Sequence, residues 1–160
     1  MKYIESPEAI LKASLNLDNA IEDKDFESVA SKFSDDCEIE LLGVSLSGKG
    51  GVRKWMQWQF DHISKVRFIP VTKMVSGNTF FEEFIAMATL PDGEEIQSKQ
   101  AVVLQFNGGL IRSLRLYFDR LDFADSIAKD IISKTIVREL IKKSVEGLDE
   151  HLGPRGAKIF

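Results

Sequence analysis

Cysteine is nearly missing: Cys37 is the single thiol in 160 residues. One thiol excludes an internal disulfide, so the core must hold the fold, as suits a reducing compartment. Cys37 lies in "DDCEIELLG". No histidine is close in sequence to act as its base, and it reads as a small residue at a strand start. Histidine is scarce too. His62 and His151 are far apart, and neither belongs to a ligand-spaced group of Asp, Glu or Cys, so no metal site is assigned. No apolar run approaches the ~20 residues of a membrane span, and "MKYIESPEAILK" lacks a signal-peptide core. A cytoplasmic protein with no membrane partner is expected. Positive charge is short as well: 21 Lys and Arg against 25 Asp and Glu give a net charge of -4. Phosphate contacts need a basic face, so no nucleic-acid partner is expected. "GKGG" lacks the trailing Ser or Thr of a phosphate loop and reads as a turn. No cofactor is expected.

Apolar content is ample, at 44%, with eleven Phe against two Tyr and two Trp. That describes a greasy interior with few polar handles on its aromatics, in a chain long enough for one sizeable core. "ESPEAILKASLNLDNAIEDKD" opens with a helix start: Ser6 to cap, Pro7 in the first turn, Glu8 at the positive end of the dipole. Ile10, Ala13, Leu17, Ala20 and Ile21 recur at helical spacing. A second short helix, capped by Asp25, buries Phe26, Val29, Ala30 and Phe33 and ends at Asp35 and Asp36. A strand is read over Cys37–Leu42, then a turn-rich connection with room for a short strand. A third helix runs from Val52 to Ile63 with Val52, Trp55, Met56 and Phe60 inward.

From Lys65 the period changes from helical to alternating. "KVRFIPVTKMVS" is β-branched and aromatic, with Pro70 marking an edge or bulge. Long strands in "TFFEEFIAMATL", "IQSKQAVVLQF" and "LIRSLRLYFD" are separated by short turns, which makes an antiparallel meander. Asp119 is placed to cap the next element. Phe123 to Val145 reads as helical, with ridges Ile132–Ile136–Leu140 and Val137–Ile141–Val145 that should contact protein on a wide arc, and Gly147 can end it. The tail "HLGPRGAKIF" is marked by Gly and Pro. Helices first and a meander later give an α+β class.

The order of "LDNAIEDKDFESVASKFSDDCEIELLG", "SGKGGVRKWM", "LPDGEEI" and "GGLIRSLRLYFD" resembles the nuclear transport factor 2-like superfamily. Within it the chain is similar to SnoaL-like polyketide cyclases, ketosteroid isomerases and limonene epoxide hydrolases, over roughly residues 10–123. The resemblance implies a cone-shaped curved antiparallel sheet closed by the N-terminal helices (a cystatin-like fold). The SnoaL-like domain would span 1–122, with an added helical extension and tail at 123–160. It also implies a pocket inside the cone and a homodimer formed through the outer sheet face. Strand alternation agrees that both sheet faces need cover, because both faces of the strand from Thr79 are largely apolar.

Matching onto the epoxide hydrolase pattern points Ile39 and Leu41 into the pocket from the first strand. It points Glu83, Ile85 and Met87 inward from the long strand and Ser98, Gln100 and Val102 from its partner. Leu114, Leu116 and Phe118 come from the last strand, and Trp55 forms core or pocket wall. The hydrolase arginine and two carboxylates fall on Glu83, Ile85 and Leu116, and the isomerase base falls on Leu41, so neither reaction carries over. Glu83 is the acid left in the expected cavity. A desolvated carboxylate has a raised pKa and can act as a general base near neutral pH, with Gln100 to position a carbonyl. Arg115, Tyr117 and Asp119 alternate with the inward set and face outward. A one-residue change of register would bring these three inside.

Two classes of function remain. One is a cofactor-free isomerase, cyclase or lyase acting next to a carbonyl with Glu83 as base. The other is a binding module that holds a small apolar ligand, or docks a protein on the sheet face, without turnover.

Overall fold

The computed structural model describes residues 5–128 and 130–147, in two compact units divided between Phe118 and Asp119. In the first unit, α1 spans Pro7–Glu22, with the Ser6 side chain accepting from the Ala9 N–H. Ile10, Ser14, Leu17, Ala20 and Ile21 form its buried side. Each large aliphatic chain so buried contributes about 1.5–3 kcal/mol. Helix α2 spans Phe26–Ser31, capped by Asp25. It is shorter than its sequence suggests, because Phe33 already belongs to strand β1, Phe33–Leu41. Strand β2 is Val44–Ser47 and α3 is Gly48–His62.

Strands β3 (Lys65–Ser76), β4 (Thr79–Thr89), β5 (Glu95–Asn107) and β6 (Leu110–Phe118) follow as the meander. The sheet has six strands in the order β2-β1-β6-β5-β4-β3, and it is curved and open. It is mixed, not purely antiparallel, because β1 pairs with β6 in parallel. A hairpin cannot make a parallel pair; the connection here is the whole of α3 and the meander. Pro70 lies on edge strand β3 next to a register shift between Pro70 and Thr72. Helix α1 packs along β3 and β4, α3 packs on β1 and β2, and α2 packs between α1 and α3 and on β1. The core therefore lies between the three helices and the concave face of the sheet, where Phe33, Phe80, Ile39, Leu104 and Ile111 are fully buried.

The β4–β5 connection fixes which side chains share that face. Leu90 N–H donates to Glu94 O at 2.8 Å, and Gly93 N–H donates to Leu90 O at 3.0 Å. The loop is thus the three residues Pro91, Asp92 and Gly93. Gly93 takes a φ of 91°, a left-handed value that glycine adopts without strain. Leu90 then lies opposite Glu94, and every even-numbered residue of β4 faces an even-numbered residue of β5.

In the second unit, Asp119 caps a 3-10 turn, Arg120–Phe123, through the Leu121 N–H. Helix α4 is the short segment Ala124–Ile127, and α5 is Ile131–Val145. The single helix expected from Phe123 to Val145 is interrupted because Asp130 starts a new one. Its carboxylate accepts from Ser133 N–H at 2.8 Å and Ser133 Oγ at 2.6 Å. Of the two apolar ridges, Ile132, Ile136 and Leu140 are exposed, while Val137, Ile141 and Val145 are half-buried. Gly147, with φ of 89°, follows the last turn. The expectations made for the tail beyond it lie outside the described residues.

Candidate functional site

Cross-strand pairing places most of the expected pocket residues on one face. Ile39 and Leu41 lie beside Leu114 and Leu116 in the parallel β1–β6 pair. Val102 faces Leu116 and Gln100 faces Phe118 across β5–β6. Ser98 faces Ala86 and Gln100 faces Phe84 across β4–β5. Ile39, Leu41, Ser98, Val102 and Leu114 are buried, whereas Gln100, Leu116 and Phe118 are only partly covered. Solvent therefore reaches the concave face at its Gln100 end. Trp55 is 4% exposed on α3, and its indole N–H has no hydrogen-bond partner among the described residues.

On β4 the expected face is reversed. Phe80, Glu82, Phe84, Ala86 and Ala88 are the buried set, and Glu83 is exposed. Glu83 lies opposite Ala101 and Ile85 opposite Lys99, on the convex face with Met87. The reason is the three-residue loop: Ser98, Gln100 and Val102 cannot share a face with odd-numbered residues of β4. Glu83 instead accepts a hydrogen bond from Thr72 Oγ1 at 3.3 Å, in solvent. The desolvation that its role as a base required belongs to Glu82.

Glu82 is 2% exposed, with Lys73 Nζ 3.3 Å from its Oε1. Lys73 reaches the concave side because Val71 is an extra residue in β3. Without that bulge the inward positions would run Val66, Phe68, Pro70 and on to Thr72; with it, Lys73 lies opposite Glu82. Helix α1 brings more acid to the same place. Its start is held near the β3–β4 turn, where Glu5 N–H donates to Asn78 Oδ1 at 2.9 Å. Its end is held lower on β3, where Phe68 N–H donates to Glu22 Oε1 at 2.7 Å. Asp18 lies one turn before Glu22, half-buried and within electrostatic reach of Lys73 and Glu82. Burial, reinforced by the Glu82 charge, pushes the Asp18 carboxyl up to about 7; Lys73 opposes this and Glu22 adds to it. Burial also raises Glu82 above the ordinary carboxylate range, against the pull of Lys73. In both groups burial disfavours the charged form.

Sequence reasoning missed Asp18, Lys73 and Glu82. The clue for Asp18 was an acid beside Leu17 and four residues from Ser14 on the buried side of α1. The other polar group on the face is the pair of Gln100 and Ser98, with Gln100 Nε2 donating to Ser98 Oγ at 3.2 Å. Glu82 and Gln100 are diagonal neighbours across β4–β5, a separation of ~7–8 Å between Cα atoms. Arg115 and Tyr117 pair with Val103 and Ala101 on the convex face, and Tyr117 is 52% exposed. The register on β6 is thus as expected, and the reversal is confined to β4. Asp119 belongs to the second unit, where it caps the 3-10 turn. Cys37 is fully buried, and burial raises its thiol pKa, which suits packing better than nucleophilic chemistry. Among the described residues no three His, Cys, Asp or Glu side chains are grouped to hold a metal ion, and no helix is long and apolar enough to cross a membrane.

Residues 16–114 match the family model described as a SnoaL-like domain. No curated protein matches the chain. Among solved structures, an NTF2-like protein of unknown function from Burkholderia pseudomallei is 18% identical. It superposes with a TM-score of 0.69 over 76% of this chain and 98% of its own. A putative SnoaL-like polyketide cyclase from Shewanella denitrificans is 12% identical, with a TM-score of 0.66 over 75% and 96%. An LEH-like epoxide hydrolase of M. tuberculosis is 19% identical, with a TM-score of 0.63 over 86% and 96%. At these identities the likeness is one of fold.

Proposed function

This chain belongs to the SnoaL-like domain family, and from that premise we propose that it binds a small, mainly apolar molecule on the concave face of its sheet. One observation carries the reading: Gln100, hydrogen-bonded to Ser98, is a partly exposed polar group set among Phe84, Leu116 and Phe118. Apolar walls with a few fixed polar groups are what small-molecule sites are made of. The Gln100 amide would orient a carbonyl or hydroxyl of the ligand, and Trp55 offers a further donor within the same core. A thermal-shift screen of hydrophobic carbonyl compounds tests this. A ligand at ~100 times its Kd should add roughly 2.7 kcal/mol of stability, and Gln100→Leu should weaken that gain. Absence of any shift across a broad library would overturn the reading.

A second reading is favoured by the position of Glu82. A buried acid on the same face as Gln100 is placed to remove a proton next to a bound carbonyl and return it at another carbon. That is the chemistry of a cofactor-free isomerase or cyclase. Polyketide cyclase-like and epoxide hydrolase-like relatives make this class reasonable, although the hydrolase arginine and paired carboxylates have no match here. On any substrate found by the screen, Glu82→Gln should abolish turnover while binding persists. Full activity in that variant would remove Glu82 as the base, and absence of turnover of every bound compound would leave a non-catalytic binding module.

We also propose a homodimer through the convex face, where Phe81, Ile85, Met87 and Val103 are half-exposed and Ile69, Met74 and Tyr117 more so. An apolar sheet face of this kind is a contact surface. Sedimentation should give a dimer that Met87→Lys converts to monomer, and a monomeric native protein would exclude it. Residues 1–122 would form the functional domain with 123–160 as its extension and tail, in the cytoplasm, where the lone buried thiol stays reduced.

A further inference from the structure

We propose that Lys73 is a positioning residue for Glu82: its ammonium holds the buried carboxylate charged and on the concave face, where it can take a proton from a bound molecule. The chemistry rests on the reading of Glu82 as a base; the contact between the two side chains does not. Strand β4 turns Glu82 inward between Phe80 and Phe84, and Val102 stands opposite it on β5. None of these side chains can balance a charge. Glu82 is 2% exposed, and a carboxylate buried without a partner favours its neutral form. A neutral acid cannot act as a base.

The partner comes from the edge of the sheet. Because Val71 is an extra residue in β3, Lys73 and not Thr72 lies opposite Glu82. Thr72 would bring a hydroxyl but no charge, whereas Lys73 brings Nζ within 3.3 Å of Oε1. Among the described residues this is the one ionic contact of Glu82. No hydrogen bond of good geometry reaches Oε1, so its capacity as an acceptor is unused. Lys73 keeps 28% of its side chain in solvent, so the desolvation penalty falls mainly on the acid. Helix α1 adds only acids to the surroundings. Asp18 lies within electrostatic reach of Lys73 and Glu82, and Glu22 is engaged by the Phe68 N–H. Lys73 is therefore the group that favours the ionised form of Glu82. The directions agree: burial raises the Glu82 carboxyl and Lys73 lowers it.

Carbon NMR of the full chain, isotope-labelled at the glutamate side chains, titrates Glu82, with Glu82→Gln to assign its resonance. The midpoint should move to higher pH in Lys73→Met and return toward the wild-type value in Lys73→Arg, which restores a cation. An unmoved midpoint in Lys73→Met, even with stability lost in urea, overturns the proposal and leaves Lys73 a packing residue. An equal rise in Lys73→Arg also overturns it. If Lys73→Met fails to fold, Lys73→Gln removes the charge and gives the same comparison. On a substrate found by the screen, kcat/KM of Lys73→Met should fall about tenfold for each pH unit that the midpoint has moved past the assay pH, and recover at higher pH. A midpoint that moves with no change in that profile overturns the positioning role by removing Glu82 as the base, whereas an unmoved midpoint sinks the role of Lys73 alone.

Discussion

Glu82 and Glu83 are neighbours on β4, yet the first is buried under α1 against Lys73 and the second stands in solvent beside Thr72. The same isosteric change should therefore have opposite weight at the two positions. Glu83→Gln should alter stability by less than about 0.5 kcal/mol, as exposed substitutions do. Glu82→Gln should differ from the wild type by more, and by an amount that becomes more favourable to the variant as pH rises. Urea denaturation of both variants near pH 5 and pH 8 checks this.

The Asp18 carboxyl sits at about 7 in the folded chain against an ordinary 3.8. The folded state therefore keeps a proton that the unfolded chain releases. Stability from this group is fully present below 3.8 and is lost as pH rises through about 7. The slope has an upper limit of about 1.4 kcal/mol per pH unit for one proton. Asp18→Asn should remove that slope, so its stability relative to wild type should climb between about pH 4 and pH 7 and then level off. A parallel pair of stability profiles would contradict the assignment.

Gly50 and Gly51 predict opposite outcomes within α3. A Cβ at Gly50 meets nothing within 4 Å, whereas one at Gly51 would lie 3.0 Å from Leu46 Cβ and 3.1 Å from its carbonyl carbon. Gly50→Ala should stabilise by up to about 1 kcal/mol through reduced backbone freedom. Gly51→Ala should destabilise by about 1–3 kcal/mol, because β2 backbone cannot rotate out of the way. Thermal melts of the two variants should move in opposite directions.

Glu5 joins two turns that are distant in sequence. Its N–H donates to Asn78 Oδ1 at 2.9 Å, and its carboxylate accepts from Gly109 N–H at 2.8 Å. Glu5→Ala leaves the Gly109 donor without its partner and should cost about 1–3 kcal/mol. The loss should appear first as faster amide exchange at the two turns.

Much of the fold is legible because local signals agree. Ser6, Asp25 and Asp119 cap the elements that their position in sequence predicts. The buried alternation of β1, β5 and β6 is as the sequence suggests. Strand β4 was ambiguous because Phe80, Phe84, Ala86 and Ala88 compete with Phe81, Ile85 and Met87 as the inner set, so hydrophobicity does not choose. The choice lies in the loop. A two-residue Asp92-Gly93 turn would have paired Pro91 with Glu94 and turned Glu83 inward; the three-residue loop turns Glu82 inward. Lys73 was hidden by the Val71 bulge, which alternation cannot foresee. The parallel β1–β6 pair has no local signal, since its partners are more than seventy residues apart.

That parallel pair also sets an order of assembly. The hairpins from β3 to β6 can close as each emerges, since each needs only its neighbour in sequence. Strand β1 is made early but has no mate beyond β2 until β6 has been synthesised, and Glu5 must likewise wait for Gly109. On the ribosome β1 therefore keeps one edge unpaired until nearly the whole sheet exists, although α1 can pack once β3 and β4 have formed. Closure by such distant segments makes folding slow relative to a helical bundle of the same length, and a nascent chain stalled before Leu110 would hold β1 with one open edge, a template for pairing with another chain.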